Sequence, residues 1–162
     1  MRATQQLVAV LLSGVIALNV VGADAFRMVP IPKSENGYDS FESTPIESQK
    51  ELDAFFKTLA GKPGWNERKR FEDALKNAKI DFKTERLILL RHTEGSSGID
   101  VQFLRPELKG MELHCRVART EPAGAGTTDM AYYCFAIVLQ RDAIKKIEFK
   151  KPRGAGAESF DF

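Results

Sequence analysis

The chain has 162 residues, 24 basic against 22 acidic side chains and a formal charge of +2, so its bulk charge gives no support for a nucleic-acid binder with a concentrated basic face. Its length suits one domain able to bury a real core. No second long apolar run follows the N-terminal one, which excludes a further membrane-spanning helix on hydropathy grounds.

The first 25 residues have the layout of an export leader. Arg2 supplies the positive end, Leu7 to Val21 the apolar stretch, and Ala23-Asp24-Ala25 a small-x-small cleavage site. The mature chain is expected to begin at Phe26, in a secreted or periplasmic setting. Arg2 and Asp24 leave together, so the formal charge stays at +2. No cysteine follows the leader, so a bacterial lipid anchor is not expected. Residues 26–43, with Pro30, Pro32 and Gly37, read as an extended arm. A single domain is expected over residues 44–151.

Thr44-Pro45-Ile46-Glu47 reads as a capping box that opens a first helix. Leu52, Phe55, Phe56 and Leu59 then form one apolar stripe, and Gly61 and Pro63 end it. A second helix is expected from about Asn66 to Ala78, with Phe71, Ala74, Leu75 and Ala78 inward. Trp65 between the helices reads as a cover for their junction.

The rest reads as sheet. Leu87 to Leu90 is a short apolar run suited to a strand buried on both faces. Gly95-Ser96-Ser97-Gly98 is a turn. Ile99, Val101 and Phe103 alternate with Asp100 and Gln102, as in a half-exposed strand. Pro106 to Gly110 turns the chain into a strand around Cys115. A strand around Cys134, apolar on both sides from Tyr133 to Leu139, is expected to be central. Ile144, Ile147 and Phe149 suggest a final strand, and the tail from Pro152 is expected to be mobile. The predicted architecture is α+β: two N-terminal helices on one face of an antiparallel sheet of about five strands.

An exported domain with two cysteines suggests one disulfide. A hairpin centred on Gly124 and Ala125 would place Cys115 opposite Cys134, Leu113 opposite Ala136 and Val117 opposite Tyr132. Opposed Cα atoms lie about 4.5–5.5 Å apart, inside the disulfide range of about 4.4–6.8 Å. Such a bridge contributes roughly 3 kcal/mol.

Candidate chemistry is sparse. His92 and His114 lack metal-motif spacing, and no metal or other cofactor is expected. Ser96 and Ser97 lack the nucleophile elbow. Asp100, Glu107 and Glu112 read as solvated charges. Candidate binding residues are Ser96 and Ser97 in the glycine turn, Pro122 and Gly124 in the 120–129 loop, and Lys145, Lys146, Lys150, Lys151 and Arg153 at the basic end.

The order of these features resembles a family. Ile46-Glu-Ser-Gln-Lys opens a helix, and a tryptophan and second helix follow. Ile80-Asp-Phe-Lys-Thr-Glu85 leads into an apolar strand. Gly95-Ser-Ser-Gly98 enters an alternating strand, Pro122 lies in the long loop, and a hydrophobic strand returns at Tyr133 to Leu139. Over residues 46–149 this resembles the PrcB-like domain of exported bacterial proteins, named after a lipoprotein subunit that stabilises a surface protease complex. The resemblance implies a non-catalytic accessory domain with a protein partner. Two departures are the missing lipoprotein cysteine and Ile99 where an aromatic is often found. The alternatives are a small secreted hydrolase using His92 or His114, and an envelope- or glycan-binding module using Lys145 to Arg153.

Overall fold

The computed structural model describes residues 25–34, 36–121, 129–151 and 157–162. Residues 1–24 of the leader, Pro122 and Gly124 of the loop, and Arg153 lie outside them. The fold is α+β, as expected, with strands β1 (Phe26–Val29), β2 (Thr44–Ile46), β3 (Glu85–Glu94), β4 (Asp100–Phe103), β5 (Glu107–Lys109), β6 (Glu112–Thr120), β7 (Ala131–Gln140), β8 (Lys146–Lys150) and β9 (Ala157–Asp161). Two helices, α1 (Gln49–Ala60) and α2 (Arg68–Asn77), interrupt this series after β2. They are therefore not N-terminal to the sheet, because β1 and β2 come first.

There are two sheets, not one. The first has the order β1-β7-β3-β2 and is antiparallel throughout. The second has the order β4-β6-β8-β9, with β5 also pairing β6, and its β6–β8 pair is parallel. The helices cover one face of the first sheet, where Leu52, Leu59, Phe71 and Leu75 meet Leu87, Leu89, Ala136 and Val138. The second sheet covers the other face, where Leu113, Val117, Ile147 and Phe149 meet Ile88, Leu90, Ile137 and Leu139. Three layers result: helices, sheet, sheet. The apolar runs at Leu87 to Leu90 and Ala136 to Leu139 follow from this, because β3 and β7 are the middle strands of the middle layer.

The expected disulfide is absent. Cys115 and Cys134 are free and buried. β6 and β7 do not form a hairpin; β7 pairs with β3 over ten residues, with Cys134 beside Arg91, and Cys115 lies beside Phe149. Cys134 points into the helix-side core and Cys115 into the core between the sheets. β6 and β7 belong to different sheets, so the two cysteines are not cross-strand neighbours.

The helix start also differs. Thr44–Ile46 is an edge strand on β3, and Ser48 is the actual cap: its Oγ accepts from Glu51 N at 3.2 Å. Glu51 in turn accepts from Glu47 N at 2.6 Å. The capping signal is therefore present four residues later than expected. Proline at 45 is tolerated because β2 is an edge.

The arm expected to be extended over residues 26–43 is extended only in part: it begins as β1 and turns through a 3-10 helix at Tyr38–Ser40, and both pieces belong to the core. β1 pairs with β7, and Tyr38 is buried against Trp65 and Phe71 with its hydroxyl donating to Pro32 O. Trp65 covers the helix junction, as read, and its Nε1 donates to Ser34 Oγ at 3.1 Å. The end of the tail expected to be mobile is a strand. Ala157–Asp161 forms β9 on β8, and the Phe162 ring lies under the Arg86 guanidinium at 4.2 Å.

Candidate functional site

A recess of about 1030 Å³ lies where three segments diverge. Its floor is the first half of β7. One wall is the arm after β1, with Ile31 and Tyr38, which belong to the helix-side core. The opposite wall runs from Ser97 to Val101, and its Ile99 and Val101 belong to the core between the sheets. The cleft exists because β1 is short. It pairs with β7 only from Leu139 to Ala136, and the chain leaves the sheet at Pro30. Ala131 to Phe135 therefore have β3 on one side and no strand on the other among the described residues.

The rim carries exposed apolar groups. The large hydrophobic side chains exposed among the described residues are Met28 (41 %), Met111 (45 %) and Met130 (54 %), and two of these three line the cleft. Methionine suits an adaptable binding surface because its thioether chain repacks against varied partners. Lys33 and Asp100 form an ion pair at 3.5 Å from one wall to the other.

A second polar cluster lies between the sheets. Glu94 Oε1 accepts from Arg119 Nε at 2.8 Å and lies 2.7 Å from His92 Nε2. Burial alone would raise the Glu94 carboxyl. The hydrogen bonds and charges of Arg119 and His92 outweigh burial and hold it below the usual carboxylate range. His92 is only 3 % exposed, and its Nδ1 has no hydrogen-bond partner. A dyad of this kind orients an imidazole, but catalysis also needs a substrate within hydrogen-bond reach of it. This ring is closed in by Tyr133 and Phe149.

The sequence-derived candidates separate. Ser97 lines the cleft, and Ser96 is buried with its Oγ accepting from Gly98 N at 3.2 Å. His114 does not join His92. It turns outward on β6, with Nδ1 3.0 Å from Glu148. Among the described residues no cluster of three His, Cys, Asp or Glu side chains could hold a metal ion. The basic end is largely neutralised: Lys146 pairs with Glu112, Lys150 with Glu148 and Lys151 with Glu158. Lys145 is exposed. The glycine turn is legible in the sequence as a candidate surface, whereas the arm and the β7 edge are not. Pro30 and Pro32 were the available signal, since a proline pair after an alternating run marks where pairing stops.

The thiols are inert by position. Burial pushes Cys115 up to about 12 and raises Cys134 as well, so neither is poised as a thiolate. Among the described residues no helix is long and apolar enough to cross a membrane.

No protein-family model, curated protein or solved structure matches the chain.

Proposed function

We propose that the chain is an exported, non-catalytic protein-binding domain, delivered to the periplasm or the medium by the leader at residues 1–25 and cleaved after Ala25. The observation that carries this reading is the cleft beside β7, with apolar walls from both cores and Met28 and Met130 at its rim. The enclosure of His92 supports the non-catalytic part, since its imidazole is committed to Glu94 and shut away from substrate. The PrcB-like resemblance supports an accessory role and makes an exported protease complex the partner to try first.

Photo-crosslinking tests the reading. A photoreactive residue at position 130 is expected to capture a discrete protein in envelope or medium extracts, and one at position 111 is not. Met111 is an equally exposed methionine on the β5–β6 turn, outside the cleft. Equal labelling from both positions, or none from position 130, contradicts the reading.

A further inference from the structure

We propose that the cleft takes an extended apolar peptide segment of a partner protein as an added strand on the open half of β7. This deepens the protein-binding reading above and rests on it. The backbone settles which groups face the cleft. Gln140 N donates to Ala25 O at 2.9 Å on the β1 side, and Arg141 N donates to Thr84 O at 2.9 Å on the β3 side. Alternation along a strand then turns the even-numbered N–H and C=O groups of β7 toward β1. At Val138 and Ala136 they face β1 residues Arg27 and Val29. At Cys134 and Tyr132 they face the cleft, where no strand pairs with them among the described residues.

Two residues with outward N–H and C=O groups form a short template for an incoming backbone. The walls specify its side chains. Residues of the added strand opposite Tyr132 and Cys134 point toward Ile31 and Tyr38. Those opposite Tyr133 and Phe135 point toward Ile99 and Val101. Ile31 and Tyr38 on one wall and Ile99 and Val101 on the other are apolar, so an occupant with apolar residues on both faces fits between them, beside the polar groups of Lys33, Ser97 and Asp100. Lys33 and Asp100 neutralise each other across the cleft, and Asp129 is the remaining charged side chain of the described lining. The side chains of Lys33 and Asp100 are largely exposed (87 % and 68 %), so parting them costs little.

The test uses a phage-displayed library of random heptapeptides against the full chain. Selected peptides are expected to lack central proline. N-methylation at alternate positions should weaken binding at least tenfold, with the intervening positions tolerant. Tyr132→Pro removes the cleft-facing N–H and spares the β3 ladder. It should weaken binding at least tenfold relative to Tyr132→Ala, which keeps that donor. Peptides indifferent to N-methylation at every position overturn strand addition while leaving protein binding intact. So does failure to select any peptide, and the crosslinking above then decides protein binding separately. A free chain that sediments as a dimer until Tyr132→Pro is introduced also overturns the proposal, by giving the edge to a second copy.

Discussion

At the scale of single residues, the Glu94 carboxylate is a buried charge that needs partners. It is charged, enclosed, and held by Arg119 and His92. Its folded value lies below its unfolded one, so its contribution is present above the unfolded value and is lost as pH falls through the folded one. Unfolding titrations should therefore show stability falling on acidification, and Glu94→Gln should flatten that fall. Glu94→Ala leaves Arg119 without its buried partner and should cost about 3–5 kcal/mol. The cysteines make a second residue-scale prediction. Both thiols should resist an aromatic disulfide reagent in the native protein and react fully in denaturant, whereas a bridged pair would react in neither. Gly37 makes a third. It has φ 98°, and a Cβ there would sit 2.0 Å from the Trp65 ring. Gly37→Ala should cost roughly 1–3 kcal/mol in chemical denaturation, and an unchanged midpoint would contradict this packing.

At the scale of elements, α1, α2 and the apolar halves of β3 and β7 were legible, because each carries its own period. Leu52 and Leu59 mark one helical face, and Leu87 to Leu90 mark burial on both sides. The polar half of β3 was not legible. His92 and Glu94 look like surface residues until Arg119, a distant residue, satisfies them. The C-terminal strand was missed for a related reason. The glycine- and alanine-rich stretch before it looks like an unstructured tail, and Phe160 and Phe162 show as an alternating pair only beside β8 and Arg86. The backbone amides of Ala157–Asp161 that bond β8 should exchange slowly with solvent, and Phe162→Ala should lower stability by about 1–2 kcal/mol through loss of the Arg86 contact. Immediate exchange throughout that segment would restore the mobile tail.

At the scale of the whole molecule, the pairing of strands was the least legible feature. Alternation tells which face a side chain takes and says nothing about which strand lies alongside. The register that opposed Cys115 to Cys134 satisfied every local rule. It failed because β6 and β7 belong to different sheets, with β7 committed to β3. The cleft arises at the same scale. β1 is too short to cover β7, so among the described residues no strand pairs with the first half of β7 on that side. Natural sheets seldom leave such an edge without covering or using it.

Residue-resolved hydrogen exchange along β7 in the free protein tests that half-edge most directly. The amides of Tyr133, Phe135, Ile137 and Leu139, turned to β3, and of Ala136 and Val138, turned to β1, should be strongly protected. Those of Tyr132 and Cys134 should exchange at least tenfold faster. Uniform protection from Tyr132 to Gln140 would mean that the arm or another segment already covers the edge, and strand addition would have no place to occur.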